Sequence, residues 1–137
     1  MFGLNGIFDE SELAIKPTPE MDSIGPTEIT MGTFVENGSP VLGNPNASIT
    51  LVEFGDYQCH YCHVFFESIE GKIMKNYIET GKVKMIFKDY NIIGKDSVKA
   101  SQGAHCANDQ GLFWEYHDRL YSNWTGENNG WASGANL

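Results

Sequence analysis

Apolar and polar positions change their spacing along the chain, and each change marks an element. Residues 49–54 (Ile-Thr-Leu-Val-Glu-Phe) form an almost unbroken apolar, β-branched run, the pattern of a buried central strand. A short polar loop, Gly55–Gln58, follows. From about His60 to Glu79, Phe66, Ile69, Ile73 and Tyr77 recur at three- and four-residue steps, with Phe65 and Met74 widening the stripe. This spacing predicts an amphipathic helix, with a bend at Gly71 and a stop at Gly81. Val83–Phe87 reads as a second central strand. Upstream, Thr33–Glu36 and Ser39–Leu42 flank Asn37-Gly38, the signal of a tight hairpin whose second arm Pro40 confines to a sheet edge. Downstream, Asp96 is the expected N-cap of a helix over 97–108. Leu112–Asn123 carries an apolar helical face through Leu112, Phe113, Tyr116, Leu120 and Tyr121, and 125–137 is a tail rich in Asn and Gly.

Strand, helix, strand of these lengths makes a βαβ unit with a parallel sheet, since parallel neighbours need a crossover. At 137 residues and 41% hydrophobic, the chain has material for one domain with a real core. Residues 1–32 show no convincing period. They hold six acids (Asp9, Glu10, Glu12, Glu20, Asp22, Glu28) against Lys16, and three prolines. They read as a mobile acidic arm, leaving 33–137 as the folded domain. A net charge of −9 without a basic patch argues against nucleic acid as a partner. No stretch approaches a membrane span, and the first residues lack the basic and apolar regions of a signal peptide.

The chemistry gathers at Cys59-His60-Tyr61-Cys62, where the loop enters the helix. A helix N-terminus offers free N–H groups and the positive end of the peptide dipoles, which favour a thiolate at the first cysteine. Cys62, nearly one turn later, is within reach for a disulfide. Thus Cys59 is the expected nucleophile and Cys62 the resolving thiol, with His60 and Tyr61 tuning the pair. Glu53 is a carboxylate in an apolar strand, whose burial raises its pKa. A second reading makes Cys59 and Cys62 half of a zinc site completed by His105 and Cys106. Adjacent helix positions diverge by about 100°, so His105 and Cys106 suit one ion poorly, and Cys106 is expected as a small buried side chain. The run 113–118 is expected in the core, with His117 a satisfied structural histidine, Asp56 as an organiser of the loop, and His63 at the surface.

The stretch Glu-Phe-Gly-Asp-Tyr-Gln-Cys-His-Tyr-Cys (53–62), with 81–90 and 113–121, resembles the DsbA-like thiol–disulfide oxidoreductases of the thioredoxin superfamily. The resemblance implies an α/β thioredoxin-like fold in which 97–123 begins a helical insertion. Within Leu137 the domain is incomplete, without the C-terminal hairpin and last helix. It also implies a cofactor-free dithiol–disulfide site and a Glu53 that relays the proton of the resolving thiol. Partners would be proteins bearing thiols or disulfides and a redox partner that resets the site. The setting would be extracytoplasmic, with a possible membrane tether. Two departures stand out: His60 replaces the usual proline, and no proline follows Pro45, so the family's cis-proline loop is expected beyond Leu137. An inert fragment of such an enzyme is the remaining alternative.

Overall fold

The computed structural model describes residues 29–132. The expectation of a mobile arm therefore lies, for residues 1–28, outside the described residues. The elements run α1 (Met31–Val35), β1 (Ile49–Gly55), a long helical run α2 (residues 60–78), β2 (Val83–Asp89), α3 (Lys95–Asn108) and α4 (Phe113–Ser122). Strands β1 and β2 pair in parallel, with Glu53 opposite Phe87 and Gly55 opposite Asp89. α2 is the crossover between them, so the βαβ unit forms as its pattern requires.

The Asn37-Gly38 pair does not make a hairpin. Thr30 caps α1, and Asn37 then adopts φ 56°, so the left-handed residue ends a helix instead of reversing a strand. The second expected arm keeps its edge position with a different partner. It runs antiparallel to β2, with Ser39 N–H donating to Phe87 O (2.8 Å) and Leu42 and Met85 exchanging both backbone bonds. At the start of α3, Gly94 holds the N-cap position and Asp96 lies inside the first turn. The Asp96 carboxylate instead accepts from Gly130 N–H at 2.7 Å, tying the segment after α4 to α3.

α2 is not a uniform helix. It begins as α-helix (His60–Phe65), widens to a π turn (Phe66–Glu70), returns to α (Gly71–Ile73) and widens again (Met74–Ile78). Each π turn inserts extra residues relative to the 3.6 period and so rotates the following side chains. The predicted stripe shifts accordingly. Phe65, Phe66, Ile73 and Met74 face inward in part, whereas Ile69 and Tyr77 are exposed and Glu70 and Ile78 are buried. Strand β1 is less buried than its composition suggests, with Ile49 and Phe54 exposed at either end.

The core lies on the side of the sheet facing α3 and α4. It gathers Tyr57, Phe87, Phe113, Leu120 and Tyr121 with the small residues Ala100 and Ala104 on α3, and Trp131 and Ala132 close it. Phe66 of α2 stacks on Tyr121 at 5.3 Å, and Tyr57 meets Phe87 at 5.0 Å. Each large side chain buried here contributes about 1.5–3 kcal/mol. A Cβ on Gly55 would strike the Phe87 ring, so glycine lets the end of β1 lie against that ring and sets where the next loop starts.

Candidate active site

The loop from β1 into α2 is fixed from several sides before the first cysteine is reached. Asp56 is buried, and its carboxylate accepts from Gln58 N–H (2.8 Å) and from Ile92 and Ile93 N–H (both 2.9 Å). It organises the loop as expected and also pins the segment after β2. Gln58 is fully buried and donates from Nε2 to Ser97 Oγ at 2.9 Å. Its Oε1 accepts from Asn128 N–H, and its backbone carbonyl accepts from Trp124 Nε1 at 2.9 Å. The approach to Cys59 is thus held by β1, α3 and the segment after α4 together.

Cys59 occupies the N-cap of α2 in extended conformation, where the unpaired N–H groups of the first turn converge. Its own N–H donates to Asp56 O at 2.9 Å, and its carbonyl accepts from His63 N–H at 3.0 Å. Cys62 follows one turn later and packs against the aromatic core. Both are unbridged and half-buried. Burial pushes the Cys62 thiol up to about 11. An Asp56 backbone hydrogen bond opposes this, while a hydrogen bond with Cys59 adds to it. Cys62 is therefore a thiol, not a thiolate, at neutral pH.

Glu53 sits three residues before Asp56, and one carboxylate oxygen is buried with no hydrogen-bond partner. Burial raises its pKa to about 8, with the charge of Glu70 adding to the shift. Glu53, Tyr61 and Cys62 line one shallow, mainly apolar groove of about 350 Å³, with Leu51, Val52 and Phe65. Tyr61 is exposed at its rim. His60 is exposed too, its ring 5.3 Å from Tyr61 and 5.7 Å from Trp124. The sequence-predicted Glu53, Cys59, His60, Tyr61 and Cys62 thus come together around one helix start.

Other expectations need correction. Cys106 is exposed, in a groove between α3 and α4 lined also by Leu112 and Tyr116, because its position on α3 faces away from Ala100 and Ala104. His105 Nε2 is engaged by Asp89 Oδ2 at 2.7 Å. Among the described residues, the side chains close enough to share an ion are Glu70, His117 and Asp118, so the zinc site of Cys59, Cys62, His105 and Cys106 does not form. His63 is not a free surface residue: its ring stacks on Trp124 at 4.6 Å. His117 is buried in the core, yet only its Nδ1 is partnered, with the Tyr57 hydroxyl at 3.1 Å.

Trp124, Glu127 and Gln58 were not visible as site residues in the sequence. Glu127 accepts from His60 N–H at 3.3 Å. Gln58 at least adjoins the motif. Trp124 and Glu127 lie more than sixty residues away and carry no local signal.

The sequence matches the thioredoxin family model over residues 36–134. It is 41% identical over 86 residues to disulfide bond formation protein D of Bacillus subtilis, covering 61% of this chain and 39% of that protein. It is 27% identical to a putative protein-disulfide oxidoreductase of Rickettsia prowazekii, covering 69% of this chain and 34% of the relative. The oxidised crystal structure of BdbD from Bacillus subtilis superposes with a TM-score of 0.60 at 38% identity, over 64% of this chain and 48% of that one. Wolbachia pipientis α-DsbA1 gives 0.57 at 28% identity, over 64% and 43%. The chain spans less than half the length of these relatives.

Proposed function

This chain belongs to the thioredoxin family and is DsbA-like within it, and on that premise we propose that Cys59 and Cys62 exchange a disulfide with protein thiols. The observation that carries the reading is the division of labour at the helix start. Cys59 stands at the N-cap of α2, and Cys62 is held as a thiol beside a buried carboxyl group in one groove.

In the oxidising direction a substrate thiolate attacks Cys59 Sγ of the Cys59–Cys62 disulfide. A bond forms between the substrate sulfur and Cys59 while the Cys59–Cys62 bond breaks, and Cys62 departs with the electron pair. A sulfur whose thiol is pushed up to about 11 is a poor leaving group as a bare thiolate. Glu53, with a pKa near 8, is largely protonated at neutral pH and supplies the proton that Cys62 takes up. A second substrate thiolate then attacks the substrate sulfur and releases Cys59. The substrate loses two electrons, and the pair gains them. His60 and Tyr61 border the reacting sulfur and tune the balance between its forms.

The partners are proteins carrying thiols, together with a redox partner that resets the pair. The reaction belongs in an oxidising, extracytoplasmic compartment, where disulfides persist, and a membrane tether is compatible with this. Among the described residues no helix is long and apolar enough to cross a membrane. The direct test mixes oxidised chain with a reduced model protein and counts thiols on both. Substrate thiols should disappear as Cys59 and Cys62 appear reduced, one pair for one disulfide. Unchanged counts, with the chain's disulfide intact, would contradict the reading.

A further inference from the structure

A buried polar atom needs a partner, and each one left alone calls for an explanation such as an ion. Glu70 on α2 and His117 on α4 are buried, the latter completely, yet Glu70 Oε2 and His117 Nε2 have no hydrogen-bond partner. The two groups face each other with Nε2 3.8 Å from Glu70 Oε1, beyond hydrogen-bond length. On the other side of the imidazole, Nδ1 is engaged by the Tyr57 hydroxyl at 3.1 Å. The ring is caged by Phe66, Phe87, Trp114 and Tyr121. Asp118 follows His117 on α4. Adjacent helix positions diverge by about 100°, but here the side chains bring one ligand atom from each of Glu70, His117 and Asp118 within 4.8 Å of the others.

We propose that Glu70, His117 and Asp118 form a binding site for one divalent transition-metal ion, with Zn²⁺ the best fit. One imidazole and two carboxylates are a donor set that Zn²⁺ accepts, a water commonly completing the four ligands of such an ion. Two ligands of a tetrahedral Zn²⁺, each at about 2.0–2.1 Å, stand about 3.4 Å apart. The Glu70–His117 pair is within about 0.5 Å of that spacing. Tyr57 acts as the outer partner that fixes the ring and leaves Nε2 as the metal-facing nitrogen. A plain Glu70–His117 ion pair would leave Glu70 Oε2 unpartnered and gives Asp118 no part. Asp118 is exposed, which gives the ion an entry from solvent. The ion takes no part in the cysteine exchange. It fastens α2 to α4 behind the reacting sulfurs, eight residues after Cys62.

Zn²⁺ itself is the probe. The full chain is used with Cys59 and Cys62 joined as a disulfide and Cys106 alkylated, so that no thiolate competes. Calorimetric titration should show one ion per chain, thermal unfolding should move upward with Zn²⁺, and the His117 Nε2 resonance should shift. Glu70→Gln and Asp118→Asn should each weaken binding by about tenfold or more. Asp118→Asn, at an exposed position, keeps the test valid if Glu70→Gln does not fold. Absence of binding would overturn the proposal. So would affinity unchanged in Asp118→Asn, or resonance shifts confined to His60, His63 or His105. The thiol count of the exchange assay is read separately, so failure here leaves the cysteine reading standing.

Discussion

Cys62→Ser should convert the chain from a carrier of disulfides into a trap. With the resolving thiol gone, an oxidised small-molecule disulfide or an oxidised protein attacked by Cys59 forms a mixed disulfide that no internal thiol can release. Incubation should therefore yield a covalent adduct in near-stoichiometric amount, reversed by excess reductant. Both variants carry Cys106→Ser as background, so that the exposed third cysteine forms no adduct. Cys59→Ser should then give none, because Cys62 is half-buried and held as a thiol by its surroundings, with its pKa near 11. At pH 7 a thiol with that pKa is ionised in about one molecule in ten thousand. Adduct yield by non-reducing electrophoresis and mass spectrometry reads both variants. Equal trapping by the two would remove the distinction between nucleophile and resolving thiol.

The second large effect concerns Glu53. Its folded-state pKa is raised from 4.5 to about 8, first by burial and then by the charge of Glu70. Folding therefore favours the protonated carboxyl. The sign follows: stability is greatest below the ordinary carboxyl range, falls as pH rises above it, and levels off once pH passes about 8. After a discount for partial exposure, the loss is up to about 4 kcal/mol. Glu53→Gln keeps the shape and removes the charge. It should flatten the stability–pH curve between pH 5 and 8 and make the variant the more stable protein at pH 9. Denaturant unfolding across that range measures both curves. The same substitution should slow the departure of Cys62, since glutamine has no proton to give. A variant curve parallel to the wild type would show that Glu53 titrates in the fold as it does in solvent.

What the sequence makes legible is what local pattern determines. The apolar run before the motif, the paired cysteines and the helix that follows are contiguous. The structure assembles them in that order as strand, loop and helix start, although the helix departs from its predicted period. Phe113, Leu120 and Tyr121 are buried as their helical spacing implies. The misreadings have local causes of another kind. Asn37-Gly38 favours left-handed backbone in either setting, and here that conformation closes α1. The stripe drawn through Ile69 and Tyr77 assumes a regular helix, but the two π turns rotate both residues out to solvent and bring Ile78 inward. The supports of the site are invisible for a different reason. Trp124 reaches the Gln58 carbonyl and stacks on His63, and these contacts exist only once the chain has folded back through α3 and α4.

The central claim is that one sulfur of the pair reacts and the other resolves. The most direct measurement is limiting alkylation of the reduced protein near pH 6, with Cys106→Ser as background so that the exposed third cysteine takes none of the reagent. Peptide mapping should place the adduct on Cys59 and leave Cys62 unmodified. An adduct found first, or equally, on Cys62 would contradict the account.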